Sequence, residues 1–229
     1  MSWLRNLPGR LGRRKPDQAE PPVPEEAAAP EAAPSSRWTD HAPYLRRVFA
    51  LRPVASCLEF GLGEGTRVLL DHCGHVTSVE LAARPVHEKW FQHCLEIYRD
   101  DPNWEPILHY CGEKLREANR IGEAGGYPIA DRGYVAELEE VVERILGRRS
   151  YDLAFVDAGI HNRGDLVNLL FDRVPIIAAH DTNGLERHYG WDLVAPPPEY
   201  RRVRFTQGLG TTFWIHESER ALLARLNGD

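Results

Sequence analysis

Short apolar runs and longer apolar stripes alternate along most of this chain. Residues 55–60, 76–79, Trp104–Tyr110, 151–157 and 174–179 are apolar runs of strand length, and a run without alternation reads as a strand buried on both faces. Between them lie stripes of helical spacing. Thr66–His72 carries Val68, Leu69 and Leu70, 84–98 is amphipathic, and 134–147 repeats Val135, Leu138, Val141, Val142, Ile145 and Leu146. Segments 164–171 and 217–226 give two more helices, and 38–51, with Tyr44, Leu45, Val48 and Phe49 on one side, ends at Pro53. Tyr200–Phe205 and Thr211–His216 flank the turn Thr206-Gln207-Gly208-Leu209-Gly210 and predict an antiparallel pair. Strands alternating with helices and finishing in a hairpin specify an α/β three-layer sandwich, its seven-stranded sheet parallel except at the C-terminal hairpin.

The stretch from 55 to 81 organises the rest. Strand 55–60 runs straight into Gly61, Gly63 and Gly65, with a helix behind them and the second strand closed by Glu80. Glycines let the backbone turn off a strand and let a ligand approach the main chain. The following helix aims unpaired N–H groups and its positive dipole end at that ligand. Glu80, 21 residues after Glu59, stands where doubly wound folds place an acid for a ribose diol. The dinucleotide fingerprint G-x-G-x-x-G is not matched, because Thr66 occupies the position of its third glycine.

The string Glu59-Phe60-Gly61-Leu62-Gly63-Glu64-Gly65 instead resembles motif I of the class I S-adenosylmethionine-dependent methyltransferases. The resemblance implies a Rossmann-like fold and a loop, Glu59, Phe60, Gly61, Gly63 and Gly65, that holds the amino-acid end of S-adenosylmethionine, with Glu80 on its ribose. It also implies that Glu113, just after the third strand, meets the adenine amino group. The alternative account of Glu113 is an acid favoured by a helix dipole.

Ligands of open parallel sheets sit beyond the carboxyl ends of the strands. Those ends gather Glu59, Glu80, Glu113, Asp157 with His161, and His180-Asp181. Asp157-Ala158-Gly159-Ile160-His161 and His180-Asp181-Thr182 resemble the D-G-x-H and H-D-T motifs of small-molecule and sugar O-methyltransferases, a likeness spanning about 56–215. Ala158 replaces the usual glycine, and one residue is inserted before His161. A hydroxyl acceptor needs its proton removed, so a base within reach helps. His161, held by Asp157, is the first candidate and His180 the second; either histidine alternatively just ties loops together. Some relatives bind a divalent ion through acids at the fourth and fifth strands. Asp157 and Asp181 offer two hard oxygen ligands for magnesium, and His180 in place of a second acid weighs against that ion. Tyr189, Trp191 and 196–198 follow the fifth strand as substrate walls or as a shield for the sheet end.

Composition narrows the picture. With 229 residues, 42% apolar and 27% charged, the chain suits one globular domain with a full core. A net charge of −6 argues against a nucleic-acid binder, and no apolar run reaches membrane-spanning length. Residues 1–36 read as a disordered basic N-terminus followed by a proline-, alanine- and glutamate-rich linker, and 37–229 as the methyltransferase-like domain. Residues 1–15 hold five basic groups and no acid, which suits a frayed end or a weak contact with a membrane surface or partner. The glycine-rich segment 122–133 is a lid or a passive insertion. Cys57, Cys73, Cys94 and Cys111 form no C-x-x-C pair and read as buried thiols of a reduced, cytoplasmic protein. The expected activity is methyl transfer to a hydroxyl of a small molecule or sugar-bearing metabolite. The rivals are a non-catalytic scaffold of the same fold, tethered through its tail, and, less well matched, an NAD-dependent reductase.

Overall fold

The computed structural model describes residues 39–126, 129–183 and 188–227. The expected tail and linker at 1–36 lie outside the described residues, as does the start of the helix predicted from residue 38. Seven strands form one sheet: β1 Cys57–Phe60, β2 Val76–Ala82, β3 Trp104–Tyr110, β4 Leu153–Val156, β5 Ile176–His180, β6 Tyr200–Phe205 and β7 Thr211–His216. Their order is β3-β2-β1-β4-β5-β7-β6. Among the described strands only β7 runs against the direction of the rest of the sheet, so the expected parallel sheet with a C-terminal hairpin is present.

The helices are α1 Ala42–Leu51, α2 Thr66–His72, α3 Pro85–Tyr98, α4 Glu113–Glu123, α5 Val135–Leu146, α6 Arg163–Leu170 and α7 Arg220–Asn227. Alternate strand residues feed two cores, one on each face. Leu58, Phe60, Ala154 and Val156 pack with α4, α5 and α6, while Cys57, Leu153 and Phe155 pack with α1, α2, α3 and α7. No described helix is long and apolar enough to cross a membrane. All four cysteines are free and buried.

The differences from expectation bear on the site. Helix α1 starts at Ala42 with Pro43 in its first turn, and the residues before it, Asp40 and His41, turn inward and are buried. Helix α4 begins at Glu113, where the sequence offers only a helix-start acid, because its inner face is Leu115, Ala118, Asn119 and Gly122, too small and polar to print an apolar stripe. Glu80 and His180 lie inside β2 and β5 rather than beyond them. The last helix is preceded by a single 3-10 turn at Glu217–Glu219.

Candidate functional site

The loop between β1 and α2 is held from below by a buried acid. Thr66 Oγ1 lies 3.0 Å from both carboxyl oxygens of Glu59 and accepts from Gly63 N at 3.0 Å. Ser78 Oγ donates to Glu59 at 2.5 Å and is in turn bonded by Trp104 Nε1. Burial pushes the Glu59 carboxyl up to about 8 against the two hydroxyl bonds that favour its anion. Glu59 thus supports the loop rather than presenting itself to a ligand. Phe60 contributes backbone only; its ring is in the core and its carbonyl accepts from Asp157 N at 2.8 Å.

Gly61 is the obligatory glycine. Its φ is +92°, and a Cβ there would stand 2.3 Å from the Asp157 carbonyl oxygen. Leu62 N donates to Glu80 Oε2 at 3.3 Å, so the loop and the acid of β2 are directly joined. Burial pushes Glu80 up to about 7, and the charge of Asp157 adds to that effect. Gly63 is open, with Trp90 Cζ2 at 3.9 Å the nearest atom a Cβ would meet.

Above Gly65 sits His41, whose Nε2 is 2.5 Å from where a Cβ would be. Its ring is 1% exposed, and neither nitrogen has a hydrogen-bond partner. Burial takes its pKa down to about 4, so it is neutral at physiological pH. A buried ring with two unmatched nitrogens is costly unless something polar meets it.

Beyond β4 and β5 the charges interlock. His180 reaches Asp157 Oδ2 through Nδ1 at 3.3 Å and bonds Asp40 through Nε2. Burial opposes its charge, yet the bonds to Asp157 and Asp40 prevail and hold it at about 10. Asp157 shows the converse balance: burial works against its anion, and the bond to His180 and the charge of Arg163 still bring it to about 2. Arg163 Nη1 sits 3.0 Å from Asp157 Oδ1 and 2.8 Å from Asp181 Oδ2, and Nε donates to the Ala158 carbonyl at 2.7 Å. The guanidinium also lies 4.0 Å over the Tyr189 ring. Trp191 Nε1 closes the group by donating to the Asp181 carbonyl at 2.8 Å.

Two expectations about bases are corrected here. His161 is not held by Asp157. The Nδ1 of His161 bonds Asn119 Oδ1 at 3.1 Å, its Nε2 faces His188 Nε2 at 3.0 Å, and its ring stacks on Tyr189. The residue inserted before His161 carries it away from Asp157 towards α4. Since Asn119 Oδ1 can only accept, Nδ1 carries the proton and Nε2 keeps its lone pair. Burial and the neighbouring His188 lower His161 to about 4, so its ring is neutral. His180, as a doubly bonded imidazolium, has no lone pair for a substrate proton at neutral pH.

The donor set does not fit a divalent metal as it stands. Ligand atoms of Asp157, His180 and Asp181 lie within 4.8 Å of one another, as do those of Asp40, His41 and His180. Both nitrogens of His180 point at carboxylates, however, and one oxygen each of Asp157 and Asp181 already faces a guanidinium.

Glu113 opens α4, exposed, on the rim of a groove of about 470 Å³ that Ala83, Arg84, Arg116 and Asn119 also line. Asn119 connects this groove to His161. The sequence pattern does not single out Asp40, His41 or Arg163. Asp40 and His41 precede a proline-started helix and look like surface residues, and Arg163 opens a helix as an ordinary charge would.

No family model and no curated protein matches the sequence. Among solved structures the chain is similar to a Staphylococcus aureus protein assigned as a caffeoyl-CoA O-methyltransferase, with 13% identity, 82% of this chain and 86% of that chain covered, and a TM-score of 0.51. It is also similar to the SAH-bound methyltransferase from Podospora anserina, with 13% identity, 77% of each chain covered and a TM-score of 0.48. The Bacillus cereus O-methyltransferase in complex with SAH gives 15% identity, 82% and 84% coverage and a TM-score of 0.47. At such identities the likeness is one of fold. The chain has the Rossmann-like methyltransferase fold, and these structural neighbours are methyltransferases.

Proposed function

We propose that this protein binds S-adenosylmethionine at the glycine loop and transfers its methyl group to a hydroxyl of a small molecule. The observation that carries the reading is the junction of Leu62 N with Glu80, which joins the glycine loop to the strand acid suited to a ribose diol. The unmatched nitrogens of His41 above Gly65 support it, because a polar ligand end at the loop would supply the partners they lack. The groove from Ala83 past Glu113 suits an adenine, with Glu113 as its acceptor. The residues present therefore fit the cofactor.

When bound, S-adenosylmethionine supplies an electrophilic methyl carried on a sulfonium. What remains for the chain is to align the acceptor and take its proton. His161 is placed to take the proton because Asn119 fixes its own proton on Nδ1, and the acceptor hydroxyl would replace His188 Nε2, which faces the Nε2 lone pair at 3.0 Å. Tyr189 stacks on His161 and on Arg163, which suits the wall of an acceptor site. His180 and Asp157 hold the ends of β4 and β5 and the segment before α1 together, so their role is to position the site.

Methyl-labelled S-adenosylmethionine offered with a panel of hydroxyl-bearing small molecules tests this. The expected result is a labelled ether whose formation slows at least a hundredfold in His161→Gln while S-adenosylmethionine affinity stays within about threefold. Label appearing only on nitrogen, or an unchanged rate in His161→Gln, would contradict the assignment.

A further inference from the structure

The charge centre at the ends of β4 and β5 contains two carboxylates aimed at one point. Asp157 Oδ1 and Asp181 Oδ2 both face Arg163 Nη1, at 3.0 and 2.8 Å. Arg163 is 6% exposed, and the side chains of Asp181 and Asp157 are 12% and 25% exposed, so the guanidinium closes the inner side of a partly shielded acid pair. Two acids converging on one point is the ligand pattern of a hard divalent cation, and here a guanidinium stands in it. An arginine cannot give up its charge at any physiological pH.

The side chain is also fixed where it is by contacts that a metal ion could not make. Its Nε donates to the Ala158 carbonyl, and its plane covers Tyr189. The next residue, Gly164, donates its N–H to the Tyr189 carbonyl at 2.9 Å, and a Cβ on it would come within 2.0 Å of the Gly190 carbonyl oxygen. Arg163 and Gly164 therefore pin the segment after β5 against the end of β4. One side chain bridges the acid pair, offsetting one of its two charges beside the His180 imidazolium, and seats the segment carrying Tyr189.

We propose that Arg163 is the built-in cation of this centre: it occupies the position between Asp157 and Asp181 that a divalent metal would take, so the protein neither binds nor requires such a metal there. Removing the guanidinium charge uncovers a latent metal site. The proposal concerns the charge centre alone and stands or falls independently of the methyl-transfer reading.

Mn2+ is the probe, followed by electron paramagnetic resonance of the free ion and by thermal unfolding, on the full chain. In the unsubstituted protein, Mn2+ binding is weaker than millimolar, and neither Mn2+ nor a chelator moves Tm. Arg163→Gln binds Mn2+ at least tenfold more tightly, the gain disappears when Asp181→Asn is added, and Arg163→Lys shows no gain. Where Arg163→Gln lowers Tm, Mn2+ restores part of the loss. Micromolar Mn2+ binding by the unsubstituted protein that Asp181→Asn abolishes would overturn the proposal. So would Arg163→Gln gaining neither Mn2+ affinity nor Mn2+-dependent stability, because the position would then not be a cation site.

Discussion

Asp40, before the first described helix, and His180, at the end of β5, form a buried ion pair between segments 140 positions apart. Asp40 also accepts from Leu209 N at 2.8 Å, in the turn between β6 and β7. Asp40 is thereby fastened over the sheet end, with His41 held above the glycine loop.

The pair predicts a dependence of stability on pH. His180 is raised to about 10, so its contribution is complete below its ordinary value of 6.5 and is lost as pH rises through about 10. Asp157 is lowered to about 2; its contribution is complete above 3.8 and is lost as pH falls through about 2. Unfolding measured from pH 4 to 11 should show a decline on the alkaline side that Asp40→Asn makes shallower. At pH 7 that variant should lose on the order of 3–5 kcal/mol, the usual cost of breaking a buried pair.

His41 makes the opposite prediction. Its unmatched nitrogens cost stability in the free protein, so His41→Leu should raise the unfolding free energy by about 1 kcal/mol. The same change should weaken S-adenosylmethionine binding at least tenfold. Paired denaturation and calorimetry check both signs, and a variant that loses stability would show that His41 only fills space.

Beneath the loop, Thr66→Val removes the hydroxyl that links Glu59 to Gly63 N. It leaves a buried acid and an amide short of partners, a loss of about 1–3 kcal/mol that denaturant unfolding would register. Cofactor affinity should fall with it, whereas Thr66→Ser should keep most of both.

Glu80→Gln keeps an oxygen for Leu62 N but loses the carboxylate. Unfolding should change by no more than about 1 kcal/mol, since burial already holds that carboxyl near neutrality at about 7. S-adenosylmethionine affinity, read by calorimetry, should drop at least tenfold.

What is legible in the sequence is whatever leaves a periodic or punctuated trace. The strands from 104 to 110 and 200 to 205 and the glycine loop are punctuated by acids, prolines and glycines, and each forms where expected. Helix α4 leaves no apolar stripe, only the acid at its start, because small and polar residues fill its inner face. The partners of the charged side chains are not legible either. The two acids of the charge centre stand at predicted strand ends, but their choice of His180 and Arg163 over His161 depends on one inserted residue and on how α6 is aimed. Asp40 reaches the site from far away in sequence, which no local pattern encodes.

The cofactor site at the glycine loop is tested most directly at Gly63. Gly61 and Gly65 have no room for a side chain, so substitutions there would disturb the fold, whereas Gly63 faces open space. Calorimetric titration of S-adenosylmethionine and S-adenosylhomocysteine, with NAD as control, should give micromolar binding of both adenosyl ligands and none of NAD. Gly63→Arg should abolish that binding with Tm unchanged within about 2 °C. Absence of binding by the unsubstituted protein, or binding that survives Gly63→Arg, would contradict the account.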